Sequence, residues 1–305
     1  MTKCRATLFL ASLALLFLPL CAQGGPWGPL LLAHGPVGPV PPPYRQGPAA
    51  RPAAAPQKPG PDAAPKTHQV AIVQEIPKPE PLFTQGLFFD GGTLYESSGL
   101  YGRSRLDTFL IEEGVRLKGT GTLRFPPGFF AEGAALAGGR VLVLTWKEGT
   151  LFEVDPESLG IKGSIFYQGE GWGLTYDGER LLSTDGTDLI KVRDPVGFQE
   201  VAPPLRVKDR GRPVERLNEL EWDPLGKVIY ANIFQSDLVA AIDPASGSVL
   251  RYLDLSPLRR RALAQRKPGW PEPDVANGLA LDGSGGLYAT GKLWGSLYLI
   301  KPGTD

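Results

Sequence analysis

Five short triplets recur at blade-sized intervals along this chain, and that repetition limits its fold more tightly than any other feature. They are Gln85-Gly86-Leu87, Glu132-Gly133-Ala134, Trp172-Gly173-Leu174, Asn218-Glu219-Leu220 and Asn277-Gly278-Leu279. Their central residues are 47, 40, 46 and 59 positions apart. Each triplet opens a run of Val, Ile, Leu, Phe and Tyr broken by turn signals such as Asp90-Gly91-Gly92, Asp155-Pro156, Asp177-Gly178 and Asp243-Pro244-Ala245-Ser246-Gly247. Runs of this kind between such turns are strands in hairpins, because Gly, Asp and Pro supply the backbone angles that reversals need. Repeats of about 40 to 50 residues, each a four-stranded sheet, pack around a channel as a propeller. The sequence thus predicts an all-β, five-bladed β-propeller in which every triplet lies on the innermost strand of its blade.

Two further expectations follow from that register. A strand over Gln69 to Ile76 precedes the first triplet and would complete the last blade, closing the ring and removing open sheet edges. The longest interval carries an insertion, Ser256 to Pro273, whose Arg259-Arg260-Arg261-Ala262-Leu263-Ala264 portion predicts a short rim helix.

Ahead of the repeats the texture differs. Lys3 and Arg5 precede an apolar run from Leu8 to Leu20, which reads as an export leader over residues 1–22 and is too short to span a bilayer. Cleavage after Ala22 and lipid attachment at Cys21 both stay open, although the bulky Leu20 suits the second poorly. Residues 23–66 are rich in Gly, Pro and Ala and form a tether that cannot bury enough surface to offset chain entropy. The folded domain is expected over 67–305, as an exported monomer, periplasmic or secreted, that meets a membrane only if Cys21 carries lipid. Both cysteines, Cys4 and Cys21, lie in the leader, so no disulfide holds the domain. Lys plus Arg and Asp plus Glu each number 32, and this balance excludes the basic field that nucleic-acid binding needs.

The two histidines, His34 and His68, fall in the tether or at its end. A His-based zinc site and a Ser-His-Asp relay therefore lack their key residues, and no Gly-rich phosphate loop opens a helix. Any catalysis runs on carboxylate, lysine, amide and aromatic groups. Residues of those types gather near the triplets: Phe83, Gln85, Phe129, Phe130, Glu132, Trp146, Trp172, Asn218, Phe234, Lys292 and Trp294. Of the aromatics, Phe129, Trp222, Trp270 and Trp294 are expected to pack between blades. Glu219 and Glu221 are expected to pair with Arg216 or cap backbone groups, Asp185 and Asp237 to fix turns, and the Arg103-Ser104-Arg105 loop to be solvated.

A series of motifs in order carries a resemblance. It includes Phe83-Thr84-Gln85-Gly86-Leu87, Glu96-Ser97-Ser98-Gly99-Leu100-Tyr101-Gly102-Arg103-Ser104, Gly171-Trp172-Gly173-Leu174 and Ser183-Thr184-Asp185-Gly186. Arg216-Leu217-Asn218-Glu219-Leu220-Glu221, Ala231-Asn232-Ile233-Phe234-Gln235-Ser236-Asp237, Val275-Ala276-Asn277-Gly278-Leu279 and Thr290-Gly291-Lys292-Leu293-Trp294 complete it. From about Val70 to Lys301 the chain resembles the plant and bacterial type of glutaminyl-peptide cyclotransferase, a propeller family unrelated to the zinc-dependent animal enzymes. The resemblance implies closure of an N-terminal glutamine of a peptide or protein into pyroglutamate, with release of ammonia. It also implies that Glu132 is the acid/base carboxylate and that Phe83, Gln85, Phe130, Trp146, Trp172, Asn218 and Lys292 line the substrate pocket. Phe234 departs from the Trp often found there, keeping an aromatic face without the indole donor.

The expected roles follow from that chemistry. Glu132 would move the proton from amine to leaving ammonia, its pKa raised by Phe129, Phe130 and Trp146, while Asn218 and Lys292 hold the amide oxygen. Catalysis is expected to need no cofactor, and a structural calcium in the channel stays open. Two other readings remain: a non-catalytic propeller displaying its rim to a protein partner, and a metal-dependent propeller lactonase or hydrolase using Glu132, Asn218, Glu219 and Asn277.

Overall fold

Alternating and continuous apolar runs become strands along nearly the whole of residues 64–302, which are the residues that this computed structural model describes. The leader with Cys4 and Cys21, His34 and nearly all of the tether lie outside the described residues. The order is β1 (Lys66–Pro77), then an antiparallel sheet of β2 (Thr84–Asp90), β3 (Thr93–Ser98), β4 (Arg105–Glu112) and β5 (Arg116–Arg124). The second sheet holds β6 (Ala131–Ala137), β7 (Arg140–Thr145), β8 (Thr150–Val154) and β9 (Ile161–Phe166). The third holds β10 (Leu174–Tyr176), β11 (Leu181–Ser183), β12 (Leu189–Arg193) and β13 (Glu200–Arg206). A small hairpin, β14 (Lys208–Asp209) with β15 (Arg212–Pro213), follows. Next come β16 (Leu217–Asp223), β17 (Val228–Ile233), β18 (Leu238–Ile242) and β19 (Val249–Asp254), the helix α1 (Ser256–Ala264), and finally β20 (Ala276–Leu281), β21 (Leu287–Gly291) and β22 (Ser296–Pro302).

Strand β1 pairs antiparallel with β22 from Val70 to Pro77, the edge that the sequence assigns to it, and so completes a four-stranded unit with β20 to β22. Its first residues, Lys66 to Gln69, also run parallel to Arg251–Asp254 of β19, fusing the last two units into an eight-stranded sheet. That fusion was not legible in the repeat. Just beyond β1, Lys78 forms a buried ion pair with Glu96 of β3, joining the closing strand to the first sheet. The result is an all-β molecule of four-stranded units with one helix, consistent with a propeller.

Burial falls from the inside outwards. Strands β2, β6, β16 and β20 are buried along nearly their whole length, whereas β5, β9 and β13 are largely exposed. The triplets explain this, because their glycines let inner strands meet backbone to backbone. A Cβ on Gly86 would lie 2.5 Å from the Ala134 nitrogen, and one on Gly133 would lie 2.6 Å from both the Leu174 nitrogen and the Trp172 carbonyl. One on Gly173 would collide with the Asn218 carbonyl. Where the fourth triplet has Glu219 instead, its carboxylate accepts the Leu279 N–H at 3.0 Å. Glu221 likewise accepts from Leu281 N at 2.6 Å. Both acids therefore cap neighbouring backbone and do not pair with Arg216, whose guanidinium donates to Gln235.

Turns follow the expected chemistry: Asp177 accepts from the backbone of Glu179 and Arg180, and Asp185 from that of Thr187. Asp237 instead meets Arg259 of α1 at 3.6 Å. The helix docks through buried Leu258 and Ala262 and an ion pair between Arg261 and Glu75 of β1. The loop at Arg103 to Arg105 is exposed at Arg103, as expected, but not at the two residues that follow. Ser104 is buried, accepting from Ala131 N and donating to Leu100 O, because its hydroxyl satisfies backbone groups that the bend leaves unpaired, and Arg105 pairs with Glu80 and Asp107.

Two outcomes follow. Gly133→Ala is expected to destabilise the fold by about 1–3 kcal/mol through overpacking, whereas Gly92→Ala, with open space around it, should change stability little; chemical denaturation measures both. Burial pushes the Glu221 carboxyl up to about 8, against an ordinary 4.5. The unfolded chain releases this proton near 4.5 while the fold retains it to about 8, so stability declines as pH rises across that window. Glu221→Gln should therefore melt above the parent at pH 8 and converge with it near pH 4 in thermal scans.

Candidate active site

In an antiparallel sheet the start of one strand and the end of the next lie at the same edge, so residues at those positions share a mouth whatever their separation in sequence. Phe83 and Gln85 sit at the start of β2, Phe130 and Glu132 at the start of β6, Trp172 just before β10 and Asn218 at the start of β16. Trp146, Phe234 and Lys292 immediately follow the second strands β7, β17 and β21. All nine line one cavity of about 210 Å³, together with Asp274, which precedes β20.

A line of amides holds the carboxylate. Asn218 Nδ2 donates to Asn277 Oδ1 at 2.8 Å, Asn277 Nδ2 donates to Gln85 Oε1 at 3.3 Å, and Gln85 Nε2 donates to Glu132 Oε1 at 3.1 Å. Asn277 is wholly buried and also donates to the Thr84 carbonyl at 3.0 Å. Three inner strands thus converge on one acid. Glu132 is only 6% exposed. Burial raises its pKa well above the ordinary carboxyl range; Lys292 opposes that shift, and Glu148 and Glu170 add to it. Burial lowers the pKa of Lys292 in turn, opposed by Glu132 and Asp274. The Lys292 ammonium lies 5.0 Å from the ring centres of both Phe83 and Phe234, a cation–π sandwich. Phenylalanine at 234 supplies the face that this contact needs.

Aromatic edges form the walls. Phe130 meets Phe83, Tyr101 and Trp146 edge-on at 6.2, 5.4 and 5.6 Å, and Trp172 meets Phe234 at 5.4 Å. Two glycines make room: a Cβ on Gly99 would enter the Phe130 ring, and one on Gly186 would lie 2.8 Å from Trp172. Both indole N–H groups of Trp146 and Trp172 donate to Glu170, and Glu148 accepts from Tyr101 Oη at 2.7 Å and from Phe130 N at 3.2 Å.

One expectation needs correction. Phe129 does not border Glu132; its ring packs on Phe152 at 4.9 Å within the core of the first two sheets, because neighbouring side chains leave the bend in opposite directions. Phe130 and Trp146 are the aromatic neighbours at the cavity. Trp294 packs as expected, fully buried, and its indole donates to Asp274 O, fixing the backbone of a lining residue. Sequence reasoning missed Asp274, Glu148 and Glu170 as site residues, and weighed Asn277 only as a metal ligand. Position gave a signal for two of them: Asn277 is a triplet residue, and Asp274 abuts the quoted Val275 motif.

A larger cavity of about 440 Å³ lies at the opposite ends of the inner strands, bordered by Thr175, Glu221, Trp222, Asp223 and Asp282. No expected site residue reaches it. Its Asp223 and Asp282 close turns by accepting backbone N–H groups. Among the described residues no three His, Cys, Asp or Glu side chains converge as a metal-ligand set.

Comparison with known proteins places this geometry among relatives. A family model described as glutamine cyclotransferase matches residues 47–302. The glutaminyl-peptide cyclotransferase of Arabidopsis thaliana is 37% identical over 248 residues, covering 79% of this chain and 73% of that protein. The crystal structure of Myxococcus xanthus glutaminyl cyclase matches with a TM-score of 0.69 and 37% identity, across 79% of this chain and 100% of that one.

Because Lys292 holds the pKa of Glu132 down against burial, Lys292→Met should raise it further. Carbon-13 NMR titration of the labelled glutamate carboxyls in both proteins reads the direction.

Proposed function

The chain belongs to the glutamine cyclotransferase family, and on that footing we propose how it closes the N-terminal glutamine of a peptide or protein into pyroglutamate. The observation that carries the proposal is a buried carboxyl, Glu132, held by Gln85 at the mouth that also gathers Lys292 and the aromatic walls. Ring closure is intramolecular, so the site has to fold the glutamine side chain back and manage one proton. The substrate's α-amine nitrogen attacks the γ-carboxamide carbon, and Glu132 accepts a proton from that amine. Negative charge developing on the amide oxygen is met by the Lys292 ammonium and by the second N–H of Asn218, whose first is engaged by Asn277. The carbon–nitrogen bond to the departing group then breaks, Glu132 returns its proton to that nitrogen, and ammonia leaves. A carboxyl with a raised pKa suits both halves, since it lies closer to the amine that it deprotonates.

We read the sheets as five blades. The inner strands β2, β6, β10, β16 and β20 touch in cyclic order, and β1 completes the unit of β20 to β22, which supports a closed ring. The mechanism uses side chains alone and assigns no cofactor. The acids and amides of the metal-hydrolase alternative are occupied otherwise, Asn277 by Thr84 and Gln85 and Glu219 by Leu279 N, which favours the cyclase reading. A non-catalytic display role leaves the buried Glu132 and Lys292 without a purpose. The basic and apolar leader supports export, and the intact mass of the exported protein decides whether Cys21 is lipidated.

The full chain is expected to release ammonia from Gln-peptides and not from Asn-peptides, read by mass spectrometry. Glu132→Gln should lower kcat by about 10²- to 10⁴-fold with circular dichroism unchanged; full activity in that variant would remove Glu132 from the mechanism.

A further inference from the structure

Glu132 lines the cavity from β6, and two of the aromatic walls beside it share a different acid. We propose that Glu170 is a positioning residue for cyclisation, holding the indoles of Trp146 and Trp172 as two fixed walls through a single carboxylate oxygen. Trp146 Nε1 donates to Glu170 Oε2 at 2.8 Å and Trp172 Nε1 donates to the same oxygen at 2.9 Å. The two tryptophans come from different sheets, one following β7 and the other preceding β10. Glu170 therefore ties the second sheet to the third at the cavity edge, where a backbone bond from Gly171 N to Trp146 O at 3.0 Å runs beside it. Its other oxygen faces Lys147 at 3.8 Å, and that ammonium sits 3.9 Å over the Trp146 ring. The Trp146 indole is thus engaged at its N–H by the carboxylate and over its ring by the ammonium.

Such a clamp matters because the reacting glutamine side chain is flexible, and closure demands that it be folded between rigid faces. This inference rests on the cyclase reading above. Glu170 also adds negative charge beside the acid. The groups acting on Glu132 are Lys292, which favours its ionised form, and Glu148 and Glu170, which disfavour it; the hydroxyls of Tyr101 and Tyr167 lie within its field.

The test uses the full chain with Glu170→Ala and Glu170→Gln, with a Gln-peptide as substrate. Glu170→Ala strips the acceptor from both indoles. KM should rise about tenfold, as expected for losing hydrogen bonds to a charged group, and tryptophan emission should shift in the absence of substrate. Glu170→Gln retains an oxygen acceptor and should recover most of the KM loss. It also removes the charge, so the acid limb of its kcat profile should move to lower pH; the substrate's own amine is unchanged and does not contribute to that move. Alanine-variant KM and emission equal to the parent's would overturn the proposal. So would a glutamine variant whose KM and emission depart from the parent's as far as expected for the alanine variant although an oxygen acceptor is retained, a result that stands even if the alanine variant fails to fold. Absence of ammonia release by the parent counts against the cyclase reading instead, and the emission arm still decides whether Glu170 holds the indoles.

Discussion

Everything in this molecule depends on how closely the inner strands approach one another. The Gly133 N–H donates to the Trp172 carbonyl at 2.7 Å, a backbone bond between two sheets that a side chain at the triplet would prevent. Thr184 Oγ1 repeats the device one sheet further on, donating to the Asn218 carbonyl at 2.7 Å. Ser97 Oγ does so one sheet earlier, donating to the Glu132 carbonyl at 2.6 Å. Residues at the starts of separate sheets are thereby brought within hydrogen-bonding distance. Only because of that closeness can three amides from separate strands act in line on one carboxyl.

Burying that carboxyl has a cost, and the surroundings offset it in parts. Removing a charge from water is expensive unless partners replace the lost solvation. Glu132 receives one amide hydrogen bond, one nearby ammonium and two repelling carboxylates. Burial is the largest of these effects and raises its pKa, with the ammonium opposing it. Lys292 is treated alike, desolvated yet faced by Glu132, Asp274 and two aromatic rings. Stability alone would not select this pair. Two other buried acids contrast with it: Glu219 and Glu221 each spend the carboxylate on a neighbouring backbone N–H.

The aromatic residues divide along the same line. Phe129, Trp294 and Tyr298 fill space between strands, whereas Phe83, Phe130, Trp146, Trp172 and Phe234 stand edge to edge around a 210 Å³ opening. Residue type does not separate the two groups. Phe129 and Phe130 are neighbours in sequence and belong to different environments, one packed on Phe152 and the other on Trp146.

The amino-acid sequence by itself determined the strand content, the repeat, the place of the closing strand and of the rim helix, and which chemical groups were left for catalysis once histidine was confined to the amino-terminal side. These are local properties: turn residues, apolar alternation and spacing act within a few residues of one another. The tertiary structure alone decided that β1 also joins β19, that Ser104 turns inward, and that Asn277, Asp274, Glu148 and Glu170 surround the site. Those outcomes depend on which edges meet in space, and a hydrogen bond between residues 59 or 192 positions apart, as from Asn277 to Asn218 and to Gln85, leaves no periodic trace in the chain.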